Sequence, residues 1–344
     1  MYYNSSKRGE ENARKGEELF HQGRYEEAVA YLRRAAYSYL ISHRSYAYLA
    51  YCHYKGYGTP VNHYAAYRWC RLLLEKRQGV DIAKSIWGND FDKIYSLRVS
   101  APQSDCYEFN DYIIGRVVVR SGTRRERTQF YSNRVEVEVS SQYNHYDSHI
   151  VIGMIYNLFH WHEDNRNLPP HIDENYRENY DLYSLLIKRG ACDKITHRVS
   201  GNCYTIIVPY NTRFEQIVTR EAIIIESNKI MKKAALSYLP QRLKELSERT
   251  GLKYTLCHIR KIEGNCSGMY TKSGEIILIP EIIKDSSLEI DAILIHELCH
   301  SLVLGHGQDF YDMVLKYGGE EILKINQTFT EYKLQNHKTE IPYD

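Results

Sequence analysis

The chain runs to 344 residues, which at roughly 150 per domain is room for two or three domains. Its 45 Lys and Arg against 43 Asp and Glu leave a formal charge of +2, which excludes a protein built mainly as a polybasic nucleic-acid binder or an acidic tail. With 43% hydrophobic residues and only 8 prolines, long intrinsic disorder is excluded as well.

Tyrosine outnumbers phenylalanine 32 to 8, so wet grooves and half-buried rings are expected. Met1 to Glu10 lacks the apolar core of a secretory leader. The densest apolar run, Ile290 to Leu304, is too interrupted by Asp291, His296, Glu297 and His300 to span a membrane. Cys52, Cys70, Cys106, Cys192, Cys203, Cys257, Cys266 and Cys299 form no C-x-x-C pair, and a reducing cytoplasm is the expected location.

Residues 10–77 read as helices joined by short turns. Ala13, Gly16 and Leu19, then Tyr25, Ala28, Tyr31, Leu32 and Ala35 beyond the turn at Gly23, recur at helical spacing and predict a helix hairpin. A second version begins near Ala47 and runs through Tyr54-x-Gly56-Tyr57-Gly58-x-Pro60 into Ala66-x-x-Trp69. Ala28 thus returns as Ala66 after 38 residues, a period typical of stacked helix pairs. The passage resembles tetratricopeptide-type repeats, and its second unit is most similar to the Sel-type subclass, with a Gly-x-Gly turn before a small residue and Trp. The other reading is an unrelated helical bundle. Two units are fewer than the three or so that stand alone, so they are expected to lean on the rest of the chain. Tyr46, Tyr48, Tyr51, Tyr54, Tyr57, Tyr64 and Tyr67 either present contacts to a protein partner or fill the seam between helices.

From 112 to 210 the pattern turns to strand. Arg116 to Arg120, Arg134 to Val139 and Cys203 to Pro209 predict short strands, with a helix over Ile150 to His160. Val117-Val-Val-Arg-Ser-Gly122 echoes faintly in Leu185-Leu-Ile-Lys-Arg-Gly190, and Thr128 in Thr196, both at an offset of 68 residues, as a duplicated strand unit would. Residues 162–181 read as a polar connection. A long helix follows from Glu215 to Thr250, with a break expected near Pro240, and then a strand pair, Lys253 to Arg260 and Glu275 to Ile279. Ser286-Ser287-Leu288-Glu289 has capping-box spacing, which starts another helix.

That helix carries His296-Glu297-Leu298-Cys299-His300. Side chains four apart share a helix face, so His296 and His300 can aim two imidazoles at one ion. Glu297 lies about 100° further round, where a base that takes a proton from metal-bound water belongs. Gly305 is expected to end the helix in the left-handed conformation and bring His306 in from another side. Three neutral nitrogens with an open position make a catalytic zinc site. In a chain of this composition H-E-x-x-H arises about 0.08 times by chance, and a third His at a set position lowers that to about 0.004, so the pattern is read as a site. Ile293, Leu294, Leu298, Leu302 and Val303 are expected to bury the rest of the helix.

Here a family resemblance becomes specific. Residues 236–318 resemble the YgjP-like zinc metallopeptidases through Tyr238-Leu-Pro-Gln-Arg242-Leu, Lys253-Tyr, Ile259-Arg260, Gly264-x-Cys266-Ser267, Gly274-Glu-Ile-Ile-Leu, the His296 to His300 motif, His306 and Phe310. The strands back to about 185 are expected to belong as well. The resemblance implies a minimal zincin in which His296, His300 and His306 bind Zn2+ and Glu297 is catalytic. One departure stands out: the family's Trp-Gly-Ser-Cys-Ser is here Glu263-Gly-Asn-Cys-Ser267, which alters packing on the substrate side. His306-Gly-Gln-Asp-Phe310 is also similar to the segment after the motif in SprT-type and Wss-like proteases, which act on protein crosslinked to DNA.

Other residues compete for roles. Glu320 or Glu321 could supply a carboxylate as the third ligand, although His306 fits better. His160 and His162 read as surface residues at a helix end, Cys299 as a buried thiol facing away from the ligands, and Cys266 as structural on a strand loop that could approach the site. Arg116, Arg120, Arg124, Arg125, Arg127 and Arg134, followed by Phe130 and Tyr131, form either a nucleic-acid groove or a solvated hairpin tip, and the overall charge favours the tip.

The sequence therefore predicts an α+β protein: a helical repeat module over 1–100, a β-rich segment over 105–210 and a zincin-like metallopeptidase domain over 211–344. The expected activity is zinc-dependent peptide-bond hydrolysis on a protein or peptide, with the repeats binding a protein partner. The alternatives are a scaffold with a structural zinc fold and a nucleic-acid-associated protease.

Overall fold

The computed structural model describes residues 2–37, 43–100, 106–123, 126–140, 148–165, 172–264 and 266–337. It is mixed α+β, with helices first, strands in the middle and helices last. The chain divides into two compact units: Met1–Asp173 with Asp193–Ile195 and Pro209–Ile225, and Glu174–Cys192 with Thr196–Val208 and Glu226–Asp344.

The first unit opens with α1 (Tyr2–His21), α2 (Tyr25–Tyr37), α3 (His43–Lys55), α4 (His63–Leu74), α5 (Gly79–Trp87) and α6 (Phe91–Tyr95). α1 packs on α2 and α3 on α4, giving two helix hairpins. Ala28 and Ala66 are both fully buried, where a larger side chain would hold helices apart, and Trp69 is buried one turn beyond Ala66. Gly56 and Gly58 have φ of 79° and 68°, and a Cβ at Gly58 would stand 2.2 Å from the Tyr25 carbonyl oxygen, so only glycine fits this turn. Tyr57 stacks on Tyr25 with ring centroids 4.5 Å apart. Tyr46 and Tyr48 are buried in the helical core and Tyr51, Tyr54 and Tyr57 pack half-buried against it, so these five rings fill the seam; Tyr64 is buried as well.

The strands β1 (Cys106–Asp111), β2 (Gly115–Thr123), β3 (Arg127–Phe130) and β4 (Val135–Ser140) form a sheet of order β1-β2-β4-β3, with β2 and β4 parallel. Val117, Val119, Val135, Val137 and Val139 alternate onto one face and pack with Val151, Ile152 and Ile155 of α7 (Ser148–Asn165). Arg33 of α2 reaches this sheet and pairs with Asp111 at 2.8 Å, both side chains 2% exposed. Arg34 of α2 donates to the Tyr156 hydroxyl on α7. In the arginine cluster, Arg116 pairs with Glu108 at 2.6 Å, Arg134 with Glu136 at 2.7 Å, and Arg127 donates to Gln129 at 2.6 Å. These cations thus bind side chains of their own sheet; Arg124 and Arg125 lie outside the described residues.

The second sheet comprises β5 (Arg177–Asn179), β6 (Ser184–Gly190), β7 (Thr196–Ser200) and β8 (Cys203–Pro209), in the order β5-β6-β8-β7. This is the order of the first sheet, and the strands sit at the 68-residue offset of the sequence echo: Val117 in β2 answers to Leu185 in β6, and Thr128 in β3 to Thr196 in β7. β5 falls inside the stretch read as a polar connection.

α8 (Ile217–Thr250) runs unbroken through Pro240, contrary to the expected break. Proline costs one i→i−4 bond here, to the carbonyl of Leu236, and Leu236 is exposed, so that carbonyl is not trapped in a core. A three-stranded sheet follows, with β9 (Cys257–Ile259), β10 (Gly268–Tyr270) and β11 (Ile276–Leu278) in the order β10-β11-β9 and β10 an antiparallel edge. Then come α9 (Ser287–Cys299), α10 (Gln308–Gly318) and α11 (Glu320–His337). All eight cysteines are free. Among the described residues no helix is long and apolar enough to cross a membrane.

Candidate metal centre

α9 is fixed at both ends of its first turns. The Ser286 hydroxyl accepts from the Glu289 N–H at 3.2 Å while the Glu289 carboxylate accepts from the Ser286 N–H at 2.9 Å, a complete capping box. Asp181 adds a second anchor, accepting from the Ser287 N–H at 2.9 Å. On the outer side Arg242 of α8 grips Asp291 with two bonds of 2.8 and 2.7 Å, which explains the arginine in the Tyr238 to Arg242 pattern. Ile290, Ala292, Ile293, Leu294, Ile295 and Leu298 are buried, so the helix cannot rotate without exposing them.

The helix ends earlier than expected. Its C-cap is His300, and the next residues form tight turns, Ser301 N–H to Leu298 O at 3.0 Å and Leu302 N–H to Cys299 O at 3.0 Å. Gly305 does not take a positive φ, so the turn toward His306 is made by this tightened segment and not by a left-handed glycine. Because the helix has stopped, Leu302 is exposed rather than buried, and Leu304 is 77% exposed.

His296, His300 and His306 nevertheless converge, each offering one ring nitrogen within 4.8 Å of the others. The Nε2 atoms of His296 and His300 are 3.2 Å apart, and those of His296 and His306 are 3.1 Å apart. Ligands at 2.0–2.1 Å on a tetrahedron are separated by about 3.3 Å, so these spacings suit one small cation. The tautomers agree with that reading. His296 Nδ1 donates to Asn326 Oδ1 at 2.6 Å and His300 Nδ1 donates to the Val303 carbonyl at 2.9 Å, leaving each neutral ring with an Nε2 lone pair aimed at the other. Two lone pairs face to face repel, and a cation between them removes the repulsion. Burial holds the His300 pKa below the ordinary imidazole value, the direction that keeps it neutral for coordination. Phe310 of α10, fully buried, lies against all three rings, with centroids 4.8, 4.7 and 5.0 Å away.

Residues 193–321 match the family model described as YgjP-like, metallopeptidase domain. The matched segment runs from before β7 to the first residues of α11 and contains all three histidines and Glu297. Searches of curated proteins and of solved structures find no match to the chain. A metallopeptidase domain implies a metal, usually zinc, and a peptide or protein substrate, and the histidine triad suits that metal.

Glu297 is 5% exposed, and the backbone of Gly268 on the β10 edge passes against it: a Cβ there would stand 2.6 Å from Oε1. Neither Glu320 nor Glu321 joins the histidines; both are exposed on the first turn of α11. Cys299 is buried, which pushes its thiol up to about 12, far from a reactive thiolate. Cys266 is half-buried with Sγ 3.9 Å from the Glu263 carbonyl. His160 and His162 fall in the last turns of α7, where the side chains lie outside the described residues. Sequence reasoning missed Asn326, Asp181 and Gly268. A signal existed only for Asn326, which follows Ile322 by four residues and so shares an apolar helix face.

Proposed function

We propose that this protein is a zinc metallopeptidase in which His296, His300 and His306 hold the metal and Glu297 is the general base. The observation that carries the reading is the convergence of three imidazole nitrogens at tetrahedral spacing inside a segment matching a metallopeptidase family. Bound zinc supplies a water of pKa near 7 and polarises a carbonyl. Glu297 takes the proton of the attacking water and returns it to the leaving amine. β10, an edge strand beside Glu297, offers backbone groups to an extended peptide. In this reading residues 211–344 form a zincin-like catalytic domain, and the helices of 1–100 are repeats that recognise a protein partner in the cytoplasm.

Metal analysis of the purified full chain tests the ligand set. About one zinc per chain is expected; His296→Ala, His300→Ala and His306→Ala lower occupancy, whereas Glu320→Ala and Glu321→Ala do not. Full loading of His306→Ala with loss in either glutamate variant would transfer the third position to the carboxylate.

Gly268 provides a separate check on Glu297. Gly268→Ala places a methyl group against a buried carboxylate that has little room to withdraw. Zinc content is expected to be unchanged while peptide hydrolysis falls on the order of 100-fold, the usual cost of displacing a reacting group by about 1 Å. Wild-type turnover in this variant would show that Glu297 is not held where the reaction needs it.

A further inference from the structure

His296 is the ligand whose outer nitrogen is satisfied by a side chain from a distant helix. Asn326, on α11 and 2% exposed, accepts from His296 Nδ1 at 2.6 Å. Its own orientation is not free to flip, because its amide group donates to the Ala292 carbonyl at 3.2 Å and to the Ile322 carbonyl at 3.0 Å. A flipped amide would turn its oxygen toward two carbonyls and its NH2 toward the imidazole, losing both donor bonds. The chain of bonds therefore runs from α9 backbone to amide to imidazole, and it dictates which ring nitrogen carries the proton. Asn326 lies beyond residue 321, where the family match ends.

We infer that Asn326 is a positioning residue for the metal centre: its carbonyl oxygen fixes His296 in the Nδ1–H tautomer and holds Nε2 toward His300 and His306. This inference rests on the reading of His296 as a ligand. His300 is held in the same tautomer by a backbone carbonyl from its own turn, so no single side-chain change removes that support. The Nδ1–H of His296 is instead received by a side chain, on α11 and 30 residues along the chain. A metal-ligating imidazole whose outer N–H partner is removed loses orientation and basicity, and metal affinity falls with it.

The test measures zinc affinity of the full chain by chelator competition in wild type, Asn326→Leu and Asn326→Asp. Leucine fills similar volume and accepts nothing, so zinc binding weakens about 10–100-fold. Aspartate retains the acceptor for Nδ1–H but loses both amide donors and must protonate its second oxygen to face the Ala292 and Ile322 carbonyls, so it keeps clearly more zinc affinity than leucine without reaching wild type. That separates the two roles of the residue, because an asparagine serving only to tie α11 to α9 would be damaged as much by aspartate as by leucine. Equal affinity of Asn326→Leu and wild type overturns the inference, as does equal loss in both variants. A wild-type protein that takes up no zinc removes the metallopeptidase reading and the inference with it, whereas normal wild-type loading with an indifferent Asn326→Leu removes the inference alone. A second measurement needs no variant. In zinc-loaded wild type with 15N-labelled histidine, His296 shows a slowly exchanging proton on Nδ1 and none on Nε2, and the reverse pattern rules the arrangement out.

Discussion

Glu297→Gln leaves zinc content and thermal unfolding where they are and lowers hydrolysis of an unstructured protein substrate by about 10²–10⁴-fold. The substitution keeps the volume of a side chain that is 5% exposed and packed against Gly268, so neither the helix nor the strand has cause to shift. It removes only the ability to accept and return a proton, a contribution commonly of that size. The measurement is turnover of a labelled, disordered protein by matched zinc-loaded preparations, and equal rates for variant and wild type would defeat the assignment of Glu297. The same variant with its metal retained is a trap for partners, since bound protein would no longer be released by cleavage.

The second large effect concerns stability and lies in the first unit. Asp111 uses one carboxylate oxygen for Arg33 and the other for the N–H groups of Ile113 and Ile114, at 3.0 and 3.1 Å, which shapes the turn between β1 and β2. Arg33 also lies over the Phe109 ring at 4.5 Å. Burial, with the Arg33 charge, pushes the His53 imidazole down to about 3, so it adds no second positive charge next to the guanidinium at neutral pH. Asp111→Ala leaves a buried guanidinium without its partner and is expected to cost about 3–5 kcal/mol. At a few degrees per kcal/mol for a unit of this size, the melting temperature falls on the order of 10 °C. The double variant Arg33→Met with Asp111→Leu removes both charges together and recovers part of the loss, the remainder being the Ile113 and Ile114 N–H groups left without their acceptor. Thermal unfolding followed by circular dichroism checks both. A loss below about 1 kcal/mol in Asp111→Ala would mean that the pair is already solvated. Since α2 supplies Arg33 and Arg34 to β1 and α7, cutting the helices away near residue 105 would itself strip these partners.

What was legible in the sequence follows physical lines. In the two four-stranded sheets β2, β4 and β8 were readable because interior strands carry apolar residues on a face that must be covered, and β6 left its trace as Leu185-Leu-Ile. β1, β3, β5 and β7 are the edges of those sheets, rich in Arg, Glu, Asn, Thr and His, and such strands lack the alternation that pattern reading requires. At the site, the four-residue spacing and the capping box are local, so His296, His300 and the start of α9 were accessible from the chain alone. The approach of His306 was read through the wrong device, because a left-handed Gly305 was expected and the chain instead tightens directly after His300. The partners of Asn326 and Asp181 were hidden for another reason. They lie 30 and 106 residues away, and a hydrogen bond across that separation leaves no periodicity behind.

The repeated strand order bears on how the chain reaches its native state. Each four-stranded sheet consists of two antiparallel hairpins, β1 with β2 and β3 with β4 in one, β5 with β6 and β7 with β8 in the other, joined by pairing of the second strand with the fourth. The hairpins close over short loops and form early, whereas the seam that joins them needs a crossover and forms late. A chain emerging from denaturant then holds four hairpins with two equivalent seams to make. Discrimination rests on the alternating valines of β2 and β4 against the Leu and Ile residues of β6 and β8. Synthesis from the N-terminus eases this competition, because all four strands of the first sheet, through Ser140, are made before β5 begins at Arg177.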